Sequence, residues 1–146
     1  MIRLRKFEER DAAVLQKQMP DVGMEEIADM IRAWQTRMFD GKPFEMFAVT
    51  SDDAVIGSAS LYGRSKSVAS VGMEIFPDER GKGYASEAIR LILETARNCG
   101  CRVILDQVAA DNKPSISLHE KLGFETDGYV YRNAKNKEIL LYLICL

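Results

Sequence analysis

A single mixed α/β domain is the fold class this sequence predicts, and three observations lead to it. The chain has 146 residues, 47% hydrophobic and 29% charged, enough to bury roughly 70% of the unfolded chain's surface in one core. Its first half sets two stretches of helical period before three runs that alternate with period two. Its second half then alternates helix-like and strand-like segments, as parallel crossovers do. With no internal repeat, linker or low-complexity stretch, residues 1–146 read as one domain.

In chain order, Ile2 to Phe7 alternates basic and apolar residues and predicts a first strand. Glu8 to Gln18 predicts a helix, with Ala12, Leu15 and Met19 spaced at three and four. Pro20-Asp21-Val22-Gly23 interrupts. A second helix is expected from Met24 to Phe39, with Ile27, Met30, Ile31, Trp34 and Met38 on one face and Gly41-Lys42-Pro43 as its stop. Phe44 to Thr50 is rich in β-formers, and Ser51-Asp52-Asp53 turns it into Ala54 to Tyr62 as a hairpin. Ser67 to Phe76 alternates, with Ala69, Val71, Met73 and Ile75 on one face and Ser70, Gly72, Glu74 and Phe76 on the other.

Gly83 to Asn98 carries the strongest helical stripe, Ala85, Ala88, Ile89, Ile92, Ala96 and Cys99, and Gly100 ends it. Arg102 to Val108 reads as a buried, parallel strand. Pro114 to Leu122 predicts a short helix closed by Gly123. Phe124 to Tyr131 and Glu138 to Leu146 read as strands joined by a polar turn. Ile139 to Leu146 is apolar apart from the tip of Tyr142, which either burial within the domain or a homodimer through this strand would explain.

Composition narrows the function classes. A net charge of −2 argues against a non-specific nucleic-acid binder. No window holds eighteen uninterrupted apolar residues, so no membrane span is expected, and the N-terminus lacks the apolar core of a signal peptide. Three cysteines and one histidine make a Cys/His metal site hard to build, so no metal is expected. The odd cysteine count fits a reducing compartment, and cytoplasm is the expected location.

Two segments carry the chemistry. Arg80-Gly81-Lys82-Gly83-Tyr84-Ala85 is a glycine-rich turn between a strand and a helix. Such a turn exposes successive backbone N–H groups at the positive end of the helix and binds phosphate without a metal. Asn112-Lys113-Pro114-Ser115-Ile116-Ser117-Leu118-His119-Glu120-Lys121-Leu122-Gly123-Phe124 places Asn112, Ser115 and His119 on one helix face. A row of amide, hydroxyl and imidazole beside a phosphate-binding turn suits a long ligand with an amide-bearing arm.

At these residues the chain resembles the GNAT superfamily of N-acetyltransferases. Arg80, Gly83 and Ala85 match the pattern Arg/Gln-x-x-Gly-x-Gly/Ala, and Asn112 to Phe124 matches Asn-x-x-Ala/Ser-x-x-x-Tyr/His-x-x-x-Gly-Phe. The close match covers Val71 to Phe124. The resemblance implies a central mixed, mostly antiparallel sheet with one splayed parallel strand pair, flanked by helices, and acetyl-CoA as co-substrate with an amine acceptor. The turn Arg80, Gly81, Lys82, Gly83, Tyr84 and Ala85 would hold the pyrophosphate, although the Tyr84 ring is expected to pack. The strand edge at Met73 and Ile75 would bond the pantetheine arm as an added strand does, a bulge in that strand would open the gap, and Asn112 and Ser115 would contact the same arm.

The family reaction is a direct attack of the amine on the thioester. Glu74, opposite the apolar face of its strand, is the candidate base. His119 stands where many members place a tyrosine and is the candidate proton donor to the departing thiolate; a polar residue near a helix C-terminus is the plainer alternative. Trp34 is the candidate acceptor-pocket residue. Gly83 to Ala88 looks like the branch acting on protein N-terminal amines, whereas Leu118-His119-Glu120 looks like the phosphinothricin-type branch, so both a small molecule and a protein N-terminus stay open. A non-catalytic acyl-CoA-binding or sensing module is the alternative from another class.

Overall fold

Among the described residues, 1–39 and 41–146 of the computed structural model, nine strands join one sheet. Strand β1 (Ile2–Lys6) runs antiparallel to β3 (Lys42–Ser51), which pairs with β4 (Ala54–Gly63) and through it with β5 (Val68–Ile75). β5 meets β6 (Val103–Ala109) in parallel, and β6 runs antiparallel to β9 (Glu138–Cys145). Short β7 (Glu125–Thr126) and β8 (Tyr131–Arg132) pair along the other edge of β9, and β2 (Met38–Phe39) pairs with the start of β3. The parallel join requires a crossover, which α3 (Tyr84–Asn98) supplies.

Side-chain alternation divides the sheet into two faces, each with its own core. Phe47, Val49, Ala59, Leu61, Ala69, Val71 and Ile75 pack with the α3 stripe, and Ile104, Val108, Phe124 and Tyr142 continue that cluster. The other face buries Ala48 with Phe7, which follows β1, and with Ala12, Leu15, Ile27 and Ile31 from the N-terminal helices α1 (Ala12–Gln18) and α2 (Met24–Trp34). Helix α4 (Lys113–Lys121) follows β6 and is capped by Asn112, whose Oδ1 accepts from the Ser115 N–H at 3.2 Å.

The mixed α/β fold, mostly antiparallel with one parallel pair, therefore matches the sequence reading, while several boundaries do not. Residues 9–11 form a 3-10 turn ahead of α1, because the Asp11 carboxylate bonds back to the Glu8 N–H at 2.8 Å. Helix α2 stops at Trp34 rather than Phe39. Arg37 enters the left-handed region at φ 58°, and Met38 and Phe39 pair across to Pro43 and Lys42. The Phe124 to Tyr131 run shortens to two fragments around an irregular stretch held by Asp127, which bonds the Tyr129 N–H and the Tyr131 hydroxyl. The β3–β4 hairpin turns on Asp52 and Asp53, both at positive φ, the conformation a two-residue turn demands. β9 has strand neighbours on both edges, and of its apolar residues Ile139 and Tyr142 are buried while Leu140, Leu141, Leu143 and Ile144 are half-buried.

Candidate active site

The parallel pairing of β5 and β6 is only three residues long: Val68 with Val103, Ala69 with Ile104, Ser70 with Leu105. Beyond Ser70 and Leu105 both strands continue without each other, because each is held by its antiparallel partner, β4 on one side and β9 on the other. The twist of those two ladders draws the ends apart. A cleft of about 1070 Å³ opens in the gap, lined by Val71 to Ile75 from β5, Leu105 to Ala109 from β6 and α4 residues that include Ser115 and His119. Asn112, Arg80 and Ala85 close its ends.

The β5 edge offers the cleft free backbone groups. The Ser67 carbonyl accepts from Arg102 and Val103, whereas that of Val68 accepts from Arg64. Odd-numbered residues of β5 thus direct their N–H and C=O toward β6, which at Val71 and Met73 means into the gap. The Ile75 carbonyl is taken by Arg80, whose Nε donates to it at 2.8 Å. The expected bulge is not found, since no residue is inserted in the β4–β5 ladder, but the strand is distorted in another way. The β4–β5 register runs unbroken, yet the Glu74 carbonyl oxygen stands 2.1 Å from the point a Cβ on Gly57 would occupy. A carbonyl in the plane of the ladder does not lie over its neighbour's Cα, so this peptide is turned out of plane.

At the cleft's end, Gly81 and Gly83 both sit at φ 80° and Gly83 is the N-cap of the fifteen-residue α3, with no side chain capping it. Among the described residues, no backbone carbonyl accepts from the N–H groups of Gly81, Lys82 or Gly83. Donors left free at the positive end of a helix fit a pyrophosphate. Lys82 pairs with Glu79 at 2.9 Å and lies 6.0 Å from the Tyr84 ring. Tyr84 itself packs against the core.

Glu74 lies in the row Ala48–Ser58–Glu74 across β3, β4 and β5, on the sheet face of α1 and α2, and is exposed at the cleft. His119 belongs to the opposite face. It is 3% exposed, packed against Phe124 and Tyr142 with ring centroids at 4.9 and 5.4 Å. Its Nδ1 lies 2.7 Å from the Ser115 carbonyl and its Nε2 2.6 Å from Asp106 Oδ2. Burial works against charging the ring, but Asp106 and the Ser115 carbonyl outweigh it and raise its pKa above the ordinary histidine value. Burial likewise pushes the Asp106 carboxyl up, against the pull of His119.

The structure thus brings Met73, Glu74, Ile75, Arg80, Ala85, Asn112, Ser115 and His119 to one cleft. Gly81, Lys82, Gly83 and Tyr84 stand at the adjoining turn. Trp34 stands apart from them: its ring packs on Phe7 at 5.1 Å, on the partly buried side of α2, and is not among the residues lining the cleft. Three residues escaped the sequence reading. Asp106 had a legible signal, a lone carboxylate in the apolar run Val103-Ile104-Leu105. Arg64 and Gly57 had none, since each matters only through the strand placed beside it.

A parallel pair splayed around a cleft, with an anion-binding turn at its mouth, defines a protein built to hold a long phosphate-bearing ligand against an open strand edge. Residues 2–125 match the Acetyltransferase (GNAT) domain, and the chain belongs to this family of N-acetyltransferases. It is 29% identical over 125 residues to the SPbeta prophage-derived uncharacterized N-acetyltransferase YokL of Bacillus subtilis, covering 84% of this chain and 70% of that one. It is 34% identical over 105 residues to an L-methionine sulfoximine/L-methionine sulfone acetyltransferase of Pseudomonas aeruginosa, covering 66% of this chain but 59% of that one. The fold superposes with a TM-score of 0.74 and 18% identity on yncA of Salmonella typhimurium, a putative acetyltransferase solved with its cofactor acetyl-CoA, over 100% and 94% of the two chains. The open β5 edge and the free N–H groups of the turn suit acetyl-CoA as co-substrate.

Proposed function

We propose that this chain transfers the acetyl group of acetyl-CoA to a primary amine by direct attack, on a small molecule or a protein N-terminus. The observation that carries the reading is the cleft itself, which is lined by residues of both sheet faces, Glu74 and Arg64 of one and Ser115 and His119 of the other. The backbone groups of Val71 and Met73 would bond the pantetheine arm, with Asn112 and Ser115 beside it and the turn from Arg80 to Ala85 on the pyrophosphate. The acceptor would approach from the α1 and α2 face, where Glu74 takes its proton directly or through water. Departure of the thiolate falls on the opposite face, beside His119. Backbone N–H groups of the distorted β5 would polarise the thioester carbonyl.

A small acceptor that carries a carboxylate is the more specific reading. Arg64 lines the acceptor face, bonded to the Ser70 hydroxyl and stacked on Tyr62, and forms no ion pair among the described residues. The Pseudomonas aeruginosa relative is named for amino-acid derivatives, which have such a group.

A panel of amino acids, polyamines and peptide N-termini, scored by release of free thiol from acetyl-CoA, tests the reaction. Turnover with at least one amine is expected, and Glu74→Gln should cut its rate by about 10- to 100-fold, most at low pH where neutral amine is scarce. Tight acetyl-CoA binding without turnover on any amine would instead identify a non-catalytic acyl-CoA-binding module.

A further inference from the structure

We infer that Asp106 is a further catalytic residue, the group through which the proton held by His119 reaches the cleft. The inference rests on the acetyl-transfer reading above and adds a residue to it. Both nitrogens of His119 are engaged, Nδ1 with the Ser115 carbonyl at 2.7 Å and Nε2 with Asp106 at 2.6 Å. The ring is wedged between Phe124 and Tyr142 and is not free to turn. No nitrogen is left to face a ligand.

Asp106 is placed differently. It is the first residue of β6 past Leu105, the last that pairs with β5, and so it stands at the apex of the cleft. Its side chain is 12% exposed against 4% for that of His119. It belongs to the α3 and α4 face with Ile104 and Val108, opposite Glu74. A base on one face and a proton store on the other is the arrangement an amine attack requires, since one proton must leave nitrogen and one must reach sulfur.

Between the ring and the carboxylate the pair holds one proton, shared along the Nε2 to Oδ2 bond. As the amine nitrogen bonds to the thioester carbon and the carbon–sulfur bond breaks, sulfur keeps the electron pair and takes a proton from the Asp106 carboxyl. That proton is the one shared with Nε2 of His119, so its loss leaves a carboxylate beside a neutral imidazole whose Nδ1–H faces the Ser115 carbonyl. The attacking nitrogen surrenders its proton to Glu74 or water, and the pair recovers one from solvent. The other titratable and charged groups nearby are Tyr142, opposite Asp106 in the β6–β9 ladder, and Glu120, which accepts from the Tyr142 hydroxyl at 3.4 Å. Glu74 and Arg64 line the cleft from the β4–β5 hairpin, and Arg80 lines it from the turn before α3.

His119 is the only histidine of the chain, so one imidazole NMR titration reads the pair directly. In Asp106→Asn, kcat should fall about 10- to 1,000-fold while the coenzyme A dissociation constant, measured by calorimetry, moves less than about threefold. The decline of kcat at alkaline pH, where the stored proton is lost, should vanish in the variant, and its imidazole should titrate lower than in the wild type. A variant with wild-type kcat and an unchanged alkaline limb overturns the inference. Should Asp106→Asn not fold, the wild type decides: coenzyme A must displace the imidazole titration, and an unmoved titration overturns the inference equally. Absence of turnover by the wild type on any amine is a separate result, which removes the acetyl-transfer reading and this step with it.

Discussion

Asp11 is the residue where charge and fold are most tightly joined outside the cleft. It is buried, clamped by Arg5 through Nη1 to Oδ2 at 2.7 Å and Nη2 to Oδ1 at 2.9 Å, and it also accepts from the Glu8 N–H. Burial works to raise its pKa, yet the guanidinium and the N–H win and hold it below the ordinary carboxylate value. A carboxyl whose folded pKa is depressed adds stability above its unfolded pKa and loses it as pH falls through the folded value. Asp11→Asn should therefore cost about 2–4 kcal/mol near neutral pH, since it strands Arg5 beside an uncharged partner. Denaturant titrations across pH should show the difference from wild type shrinking toward zero in strong acid. A pH-independent difference would mean that the pair acts only through packing. The same reasoning with the opposite sign applies to His119. Its raised pKa gives stability that is complete below the ordinary histidine value and lost as pH rises through the folded one.

Among the elements, β5 does the most with the least sequence. Its alternation marks it as a strand with one buried face, and Glu74 was legible there as the charged residue of the open face. The distortion at Glu74 was not legible, because it depends on β4: Gly57 is the partner that leaves room for the Glu74 carbonyl. Gly57→Ala would place a Cβ against backbone atoms that have no flexible end to move. We expect it to cost about 1–3 kcal/mol in denaturant unfolding and to lower turnover. Unchanged stability and turnover would show that the peptide at Glu74 has no need of its present course. Helix α2 teaches the complementary lesson. Of its expected stripe Ile27, Met30, Ile31, Trp34 and Met38, the first four lie on α2 with Ile27 and Ile31 buried and Trp34 packed on Phe7, whereas Met38 falls in β2 and is exposed.

At the scale of the molecule, the cleft divides the sheet into two antiparallel wings, β1–β3–β4–β5 and β6–β9, joined by three parallel pairs and by the crossover through α3. A ligand that bridges the β5 edge, the turn before α3 and the start of α4 ties the wings together. Acetyl-CoA at about 100 times its dissociation constant should thus stabilise the fold by roughly 2.7 kcal/mol, a melting shift on the order of 5–10 °C at this size. Thermal unfolding with and without the coenzyme measures it. A shift with ATP or NAD and none with acetyl-CoA would count against the proposed occupant of the cleft.

The class of fold and the ends of the cleft are legible along the chain. Period-two and helical stripes mark which faces are buried, and Arg80 to Ala85 and Asn112 to Phe124 act through local backbone geometry, a turn before a helix and a cap on one. Both are properties of neighbours in the chain, so they are readable without a third dimension. The shape of the cleft between its ends is set by contacts in three dimensions. The splay after Ser70 and Leu105 comes from two ladders pulling on strands more than thirty positions apart. The same pairing sets Asp106 on Nε2 of His119, sets Gly57 under the Glu74 carbonyl, and brings Arg64 to the Ser70 hydroxyl at the cleft. These are contacts across the sheet, fixed by register and burial, and no periodicity along the chain encodes them.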